Sequence, residues 1–423
     1  MKILKVLARQ VLDSRGSPTV EAEILTSKGG FSAMVPSGAS TGEREALELR
    51  DGGKAYMGKS VTKAVENIMK VIAPSVVGLD ARRQRDIDET MIELDGTKTK
   101  SRLGANAILA VSMAVCRAGA ASRDEPLYAY LAKLSGREGK TLPTTLLNVM
   151  NGGKHAGLEN DVQEQMMVPA GAKSYSEALQ MGVETYYALK DILYKKFGPQ
   201  GTLLGDEGGF VPKVSNMEER LEYMLQAIEQ AGYPKEIFLA LDSASSEFYH
   251  KGEYNLYGKS YSSGELIDFY RGLVSKYGIL SLEDGMAEND WQGWKELTAK
   301  LGNKINIVGD DLLVTNTEYI QKAIRERSCN ALLLKLNQIG TVTEAIDAAN
   351  LSFKNGWQVV VSHRSGETED AFIADLVVGL DAGQSKFGGP ARSDRNAKYN
   401  QLSRIEEALG DKATYAGMRP FEK

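Results

Sequence analysis

The chain has 423 residues and a net charge of −5, with 25% charged side chains and no long basic run. This length predicts two domains, and the composition is typical of a globular enzyme. Nucleic acid and acidic membranes are therefore poor candidates for partners. The only cysteines, Cys116 and Cys329, lie far apart in apolar sequence, so we expect buried, reduced thiols rather than a disulfide.

The first part of the chain predicts strands followed by helices. Residues 3–9 and 18–26 alternate apolar and polar side chains, as half-exposed strands do. Helical patterns follow near residues 60–73, 80–93 and 104–121. Strands before helices indicate an α+β domain.

Two features bear on where the protein works. The first ten residues are interrupted by Lys5 and Arg9 and contain no uncharged stretch long enough for a signal peptide. Residues 105–121 are only just long enough to cross a membrane, and they include Asn106 and Arg117. We interpret this stretch as a helix packed against protein, and we expect a cytoplasmic protein with no membrane span.

The best candidate for a linker is the segment 134–143, which mixes glycine, charge and proline. We therefore predict a cap domain of residues 1–138 and a second domain of residues 139–423. The second domain is long enough for one βα barrel, which takes about 250 residues.

One pattern recurs through the second domain: a short apolar run stops at a charged or polar group. The last three separations between these groups are 27, 25 and 28 residues. A buried strand, a crossover helix and two loops need about that many residues, and runs that are apolar throughout are typical of parallel strands. The pattern predicts a closed barrel whose strand ends converge on one mouth. The groups at that mouth are Asp242, Glu283, Asp310, Lys335, His363 and Arg364.

The carboxylates Asp242, Glu283 and Asp310 predict a metal site. Oxygen ligands on rigid strands suit Mg²⁺. For any one of the three alone, a cap on the following helix is the better explanation. All three together favour a metal, because a mouth with three unpaired carboxylates is costly without a cation. Asp284 and Asp311 are more typical of caps or of groups that support the ligands.

Two lysines are candidates for the same mouth. Lys335 ends an apolar run, where it is either a base or a lysine that extends its charge towards solvent. An ammonium close to a divalent metal and to a second lysine is destabilised, so Lys335 can act as a base near neutral pH. Lys386, in the next βα step, is the candidate for the second cation, although taken alone it is an ordinary loop lysine.

The segment after residue 362 is suited to phosphate. Arg364 offers a bidentate fork, and Ser365 with a backbone N–H completes a cradle. An arginine–carboxylate pair at the rim of the barrel is the alternative. The small, polar segment 36–42 is either an ordinary turn or a loop that closes over the site, with a hydroxyl that completes a metal shell.

Two glycine-rich segments contribute His155, Glu164 and Glu207. The two glutamates form a candidate pair for general-acid catalysis, in which one carboxylate raises the pKa of the other. Surface acids in loops are the alternative, and a structural role is the default for a lone histidine.

Taken together, these segments closely resemble the enolase family, over essentially the whole chain from residue 13 to residue 407. The specific motifs are Ser37-Gly-Ala-Ser-Thr-Gly42, Gly205-Asp-Glu-Gly-Gly209, Leu332-Leu-Leu-Lys-Leu-Asn-Gln-Ile-Gly340 and Ser362-His-Arg-Ser-Gly-Glu-Thr-Glu-Asp370. The resemblance implies an α/β fold, with an N-terminal α+β cap followed by a modified TIM-like barrel of ββαα(βα)6 order. It also implies a phosphopyruvate hydratase, a lyase that interconverts 2-phosphoglycerate and phosphoenolpyruvate through an enolate.

The same resemblance implies a role for each matching residue. Lys335 would abstract the C2 proton, and Glu207, supported by Glu164 with His155 nearby, would help the C3 hydroxide to leave as water. One Mg²⁺ would be held by Asp242, Glu283 and Asp310, and a second would arrive with the substrate and be bound with the help of Ser40. The expected substrate contacts are Gln163, His155, Glu164, Glu283, Asp310, Lys335, His363, Arg364, Ser365 and Lys386.

One position departs from the family pattern, and other properties stay open. Gly285 stands where proline usually follows the Glu-Asp pair, and glycine loosens that turn. The resemblance implies a homodimer, with Arg15 meeting Glu407 of the other subunit, or an octamer. The alternatives are another dehydratase of the superfamily that acts on a sugar acid, and a non-catalytic binding or scaffold protein for which Lys423 would be a surface-binding lysine.

Overall fold

The computed structural model describes residues 1–38, 42–214 and 216–423. The cap domain begins with a three-stranded antiparallel sheet of Lys5–Leu12, Pro18–Thr26 and Gly29–Met34. The second strand has the predicted bounds, the first begins and ends two to three residues later than predicted, and the third was not predicted. In the central strand the buried residues Val20, Ala22 and Ile24 alternate with partly exposed ones, because successive side chains point to opposite faces.

Helices cover the buried face of this sheet. Ala105–Ser122 packs on the second and third strands. It is the one helix in the described part of the chain that is long and apolar enough to cross a membrane, but 83% of that window is buried inside the protein, as in a core helix. The other helical segments of the cap are Thr62–Asn67, Ile68–Ile72, Ala73–Val76, Gln84–Asp95 and Leu127–Ser135.

The predicted linker begins too early. The helix Leu127–Ser135 takes its first two residues and ends at Gly136, which adopts a left-handed φ of 74°. Glycine is favoured at such a helix end because it has no Cβ to clash. The connection between the domains is therefore shorter than the sequence indicated.

The second domain is a closed barrel. Its strands are Leu147–Asn151, Glu164–Val168, Phe238–Asp242, Ile279–Glu283, Asn306–Gly309, Ala331–Leu334, Gln358–Ser362 and Gly383–Lys386. The second strand is antiparallel to both of its neighbours, and the later pairs are parallel. The last strand pairs with Thr144–Thr145, which continues through Leu146 into the first strand and closes the sheet.

Helices surround the barrel in the expected ββαα(βα)6 order, with two helices after the second strand. They are Tyr175–Phe197, Met217–Ala231, Ser263–Tyr277, Trp291–Leu301, Thr317–Glu326, Val342–Lys354, Phe372–Gly379 and Ser393–Leu409, with a short helix at Leu336–Ile339. A small antiparallel sheet of Tyr249–His250, Glu253–Leu256 and Lys259–Tyr261 lies between the third strand and its helix. The fold is thus the predicted α/β architecture.

Two contacts join the cap to the barrel near the mouth of the barrel. Ser37 and Gly366 exchange two backbone hydrogen bonds of 2.7 and 2.9 Å. Arg117 donates both guanidinium nitrogens to Asp370, at 2.6 and 2.7 Å. Both contacts hold the cap against the loop that follows the seventh strand, which carries His363.

Candidate active site

The groups predicted at the strand ends do meet at one mouth. Each of them ends its strand or lies within two residues of its end, so the parallel register brings them to the same edge. One pocket is lined by the predicted residues His155, Gln163, Glu164, Glu207, Asp242, Asp310, Lys335, His363, Arg364, Ser365 and Lys386. Glu283 contacts Lys386 from the adjoining strand. Ser40 lies outside the described residues.

The strand-end acids do not cap the helices that follow them. The helix after Asp242 is capped by Ser262, and the one after Glu283 is capped by Asp290. Asn316 caps the helix that follows Asp310. The simpler explanation for each acid therefore fails, because another side chain accepts the helix N–H groups in every case.

Lys386 is the cation on which the carboxylates converge. Its Nζ lies 2.9 Å from Asp242 Oδ2 and from both oxygens of Glu283, and 3.2 Å from Glu164 Oε2. Burial alone would lower the pKa of Lys386, but the three carboxylates outweigh it and raise the pKa well above its ordinary value. This side of the mouth is a preformed site for positive charge.

Lys335 contacts a different carboxylate. Its Nζ donates to Asp310 Oδ2, and its side chain is 13% exposed. We expected the ammonium of Lys335 to be destabilised and its pKa lowered, but the protein's own groups raise this pKa. Burial, Arg364 and Lys386 lower the pKa of Lys335, and Asp310 and Glu283 outweigh them and raise it.

Asp284 supports the neighbouring acid, as its position after Glu283 suggested. Its two carboxylate oxygens accept the backbone N–H groups of Asp310 and Asp311 at 2.8 and 3.0 Å. Burial and the nearby Asp311 raise the pKa of Asp284 well above its ordinary value. Gln338 donates to Oδ1 of Asp310 at 2.8 Å, and Lys335 donates to Oδ2, so both carboxylate oxygens of Asp310 are bound.

Gly285 follows Asp284 at a tightly packed turn. A Cβ placed on it would come within 2.8 Å of Leu282 Cδ2 and 2.9 Å of Leu297 Cδ2. The missing side chain lets the turn lie directly on the barrel wall. In this chain the turn after Glu283 is therefore set by close packing of glycine.

The opposite part of the mouth carries the two glutamates: Glu164 begins the second strand, whereas Glu207 and the nearby His155 lie outside the barrel strands. Nδ1 of His155 lies 3.5 Å from Glu164, and its Nε2 lies 3.7 Å from Glu207. Glu207 Oε2 accepts a hydrogen bond from Asn148 at 3.0 Å and lies 3.3 Å from Nε2 of His363.

The glutamate pair is electrostatically asymmetric. Burial and the charge of Glu207 raise the pKa of Glu164 well above its ordinary value. Burial acts in the same direction on Glu207, but His155 and His363 outweigh it and lower that pKa. The two carboxylates therefore differ in their preference for a proton, and Glu164 favours the protonated form more than Glu207 does.

A buried ion pair anchors the loop that carries His155. Arg220 is fully buried and donates to both oxygens of Asp161, at 2.8 and 2.5 Å, and to the carbonyl of Val214 at 2.8 Å. A Cβ on Gly152 would come within 2.3 Å of the guanidinium, so glycine is needed where the loop passes it.

The arginine–carboxylate pair considered for Arg364 is present. Its guanidinium donates to the two oxygens of Glu45, at 2.9 and 3.2 Å, and to Asn337 at 2.9 Å. Glu45 belongs to the cap domain, so the cap orients this arginine. Guanidinium has five N–H donors, and this pairing does not exclude a bound phosphate.

Sequence reasoning missed three groups in the site. Glu45 and Asn148 are described above, and Arg395 is fully buried and donates to the carbonyls of Arg364 and Ser365. Helical periodicity places Arg395 on an inward face, but nothing in its neighbourhood indicates which loop it contacts.

Several residues are close enough to hold a metal. Among the described residues, the ligand atoms of His155, Glu164 and Glu207 lie within 4.8 Å of one another, and so do those of Asp284, Asp310 and Asp311. The predicted trio is divided, since Asp242 and Glu283 contact Lys386 while Asp310 contacts Lys335. The predicted trio and the group of Asp284, Asp310 and Asp311 offer only carboxylate oxygen, which suits a hard divalent cation.

These features define a class of protein: a βα-barrel enzyme whose mouth combines acids, two lysines and an arginine for a small anionic substrate. The comparison with known proteins is more specific. The family model "Enolase, N-terminal domain" matches residues 3–131, and "Enolase, C-terminal TIM barrel domain" matches residues 139–423.

Similarity to individual relatives extends over nearly the full length. The enolase of Thermococcus gammatolerans is 56% identical over 422 residues, which cover 99% of this chain and 97% of the relative. The enolase of Thermococcus kodakarensis is 55% identical with the same coverage. That of Methanopyrus kandleri is 55% identical over 425 residues and 99% of both chains.

The chain belongs to the enolase family. The resemblance seen in the sequence is confirmed, and so are the fold and the activity: a glycolytic lyase, phosphopyruvate hydratase, that dehydrates 2-phosphoglycerate to phosphoenolpyruvate. The family implies a divalent metal, and the acidic groups of the mouth suit one.

Proposed function

We propose that the residues of this mouth divide the dehydration of 2-phosphoglycerate between its two sides. Lys335 takes the C2 proton, and Glu207 assists the departure of the C3 hydroxide as water. The observation that supports this division is that Lys335, Glu207, Arg364 and Lys386 all line one pocket, with a lysine on the strand-end side and a glutamate on the loop side.

Lys335 must be neutral before it accepts a proton. Asp310 is the main group that keeps it charged, while Arg364 and Lys386 push its pKa down. When the charge of Asp310 is offset, the lysine becomes a base near neutral pH. Mg²⁺ ions held by Asp242, Glu283 and Asp310 would supply that offset and would stabilise negative charge on the substrate.

Glu207 acts within the group that also contains Glu164 and His155. The acid needs a proton at the moment the C3 hydroxide leaves, and Glu164, whose pKa is raised, would be the source of that proton for Glu207. His155 lies between the two carboxylates, and Asn148 holds Glu207 Oε2, so Oε1 is the oxygen available for the proton. Paired carboxylates with different pKa values are suited to this work.

The remaining groups bind the substrate. Arg364 and Ser365 would contact the phosphate, and Lys386 the carboxylate, because these are the cationic and hydroxyl donors of the pocket. The substrate is strongly anionic and the mouth is rich in carboxylates, so two Mg²⁺ ions are proposed, the second entering with the substrate and Ser40. The other proposed contacts are Gln163, His155, Glu164, Glu283, Asp310, Lys335 and His363.

The broader organisation is proposed on the same basis. Family membership supports a domain boundary at residues 138–139, a cytoplasmic location and a homodimer or octamer. Glu407 is exposed, and the Arg15 side chain keeps 21% of its surface exposed, so both are accessible to a second subunit.

A chelator-sensitive assay tests this function. With Mg²⁺ present, 2-phosphoglycerate should give the ultraviolet absorbance of phosphoenolpyruvate, and excess chelator should abolish it until Mg²⁺ is restored. Sugar acids serve as control substrates and should not react. A metal-loaded protein that forms no phosphoenolpyruvate would favour a binding or scaffold role.

A further inference from the structure

One buried arginine joins the two loops that carry His363 and Glu207. Arg395 lies on the helix Ser393–Leu409, and its side chain is fully buried. Its Nη1 lies 2.5 Å from Nδ1 of His363 and donates to the carbonyl of Arg364 at 2.6 Å. Its Nη2 donates to the carbonyls of Ser365 at 2.6 Å and Asp206 at 3.1 Å, the latter one residue before Glu207.

The chemistry of this contact fixes the imidazole. A guanidinium has only donors, and arginine stays protonated in proteins. Nδ1 of His363 must therefore be the acceptor and carry no hydrogen. In a neutral ring the hydrogen is then on Nε2, the atom that lies 3.3 Å from Glu207 Oε2.

We propose that Arg395 is a positioning residue that holds His363 as the neutral tautomer with its hydrogen on Nε2, the ring nitrogen that lies beside Glu207. The consequence rests on the proposed function of Glu207 as the acid of the elimination. Oε2 of Glu207 then accepts a hydrogen bond from Asn148 and has the Nε2–H group of His363 at 3.3 Å. The other oxygen is left to exchange the proton with the substrate.

The opposite tautomer is unfavourable on both sides of the ring. A hydrogen on Nδ1 would face the guanidinium N–H at a nitrogen separation of 2.5 Å. A bare Nε2 would then place its lone pair against the carboxylate of Glu207. The imidazolium is disfavoured too, because burial and Arg395 lower the pKa of His363 to about 3 in spite of Glu207.

Imidazole ¹⁵N NMR tests the tautomer without turnover. The chain has three histidines, so the signals are few, and His363→Gln assigns the one of interest. In the wild-type protein we expect a pyridine-type shift at Nδ1 and a pyrrole-type shift at Nε2 for His363, unchanged from about pH 5 to pH 8, the interval in which an unperturbed histidine titrates. A hydrogen on Nδ1, or a doubly protonated ring near neutral pH, overturns the proposal.

Variants of Arg395 separate positioning from simple structural support. Arg395→Met removes the donors, so we expect a mixture of tautomers and a kcat lowered on the order of 10–100-fold, as when an outer partner that orients a histidine is lost. Arg395→Lys keeps a donor-only cation and should retain the Nε2–H tautomer and more of the kcat. If Arg395→Met does not fold, the wild-type spectrum and Arg395→Lys still decide the question.

Lys398 provides the matched control. It lies one turn further along the same helix, is fully buried, and binds the carbonyl of Thr368 at 2.6 Å and Glu367 at 2.8 Å without touching His363. Lys398→Met should leave the tautomer unchanged even where it weakens the loop. A Lys398→Met protein with the same mixture of tautomers as Arg395→Met overturns the assignment to Arg395.

The test of Arg395 and the test of Glu207 as the acid can fail independently of each other. If Glu207→Gln turned over normally while His363 still showed the Nε2–H tautomer, the role of Glu207 as the acid would fail and the positioning of His363 by Arg395 would stand. If the tautomer were wrong while Glu207→Gln was inactive, the positioning would fail alone.

Discussion

The two sides of the mouth are held in place by different means. On the strand-end side the catalytic candidates are fixed by register: Glu283 is paired with Asp242, and Lys386 with Ser362, in neighbouring parallel strands. On the loop side they are fixed by buried cations that reach from outer helices. Arg220 anchors the loop of His155, and Arg395 binds the carbonyl of Asp206 in the loop of Glu207.

This difference has an energetic meaning. Register is shared by a whole sheet, so the backbone at a strand end keeps its position when one side chain there is replaced. A loop held by one buried arginine loses its support when that arginine is replaced, because the buried partners of the arginine are left unpaired. We therefore expect substitutions on the strand-end side to act on rate, and substitutions of the loop anchors to act on stability as well.

The largest effect is expected on the strand-end side. Lys335→Ala removes the proposed base and should lower kcat by about 10²–10⁴-fold, the usual contribution of a general base. It should also stop the exchange of the C2 hydrogen of 2-phosphoglycerate with solvent deuterium, which NMR measures. Lys300→Ala, an exposed lysine on the barrel exterior, is the control. Unchanged turnover in Lys335→Ala would reject the base.

A substitution on the loop side should block a later step of the reaction, the departure of the C3 hydroxide. Glu207→Gln cannot supply the proton, so kcat should fall by about 10²–10³-fold, within the range for general-acid catalysis. Exchange of the C2 hydrogen should persist, because Lys335 is intact. Loss of exchange in this variant would mean that the two sides do not divide the reaction as proposed.

The same contrast explains what the sequence could and could not predict. Spacing alone placed Glu283, Asp310 and Lys335 at one mouth, because a periodic barrel converts chain intervals into neighbouring strand ends. Glu207 and His155 were candidates whose positions only the resemblance supported, since irregular loops have no period. The third strand of the cap and the helix Leu127–Ser135 were missed, and the roles of the site residues remain predictions.

Other contacts have no local signature at all. The pairing of Arg364 with Glu45 spans the two domains, and the pairing of Arg395 with His363 joins a helix to a loop. A buried cation is recognisable in a sequence only when its partner is known, because alone it has the pattern of a solvent-exposed charge. The expected lowering of the Lys335 pKa likewise depends on bound metal ions, which are not part of the chain.

The stability contrast is tested at Arg220. Arg220→Met leaves Asp161 buried without its partner, and we expect the free energy of unfolding to fall by about 3 kcal/mol. Urea unfolding measures it, and Arg271→Met, which removes a partly exposed surface pair, is the control with little change. Adding Asp161→Asn to Arg220→Met should recover part of the loss. No recovery would show that the charge of Asp161 is not the cost.

The smallest expected effect is a dependence of stability on pH from His363. Its folded pKa of about 3 lies below the unfolded value of 6.5, so the unfolded chain binds more protons between them. Stability is therefore full above the unfolded value and is lost as the pH falls. From pH 6 to pH 5 the loss should be about 1 kcal/mol, and His363→Gln should flatten it.

The groups that face His363 also bear on this measurement. Glu207, Arg395 and Lys386 all interact with the ring electrostatically. The comparison with His363→Gln isolates the histidine, since these neighbours are common to both proteins. Parallel curves for the two proteins would assign the acid sensitivity to other groups.

The exchange of backbone hydrogen bonds between Ser37 and Gly366 makes the two domains one mechanical unit. With the clamp of Arg117 on Asp370, it fastens the cap at a point far along the chain from the peptide connection near Gly136. Proteolytic nicking of that connection would leave the halves associated, and heating would melt them in a single transition. Removing either domain would expose the contact face of the other. The cap is therefore an integral part of the enzyme and not a separate module.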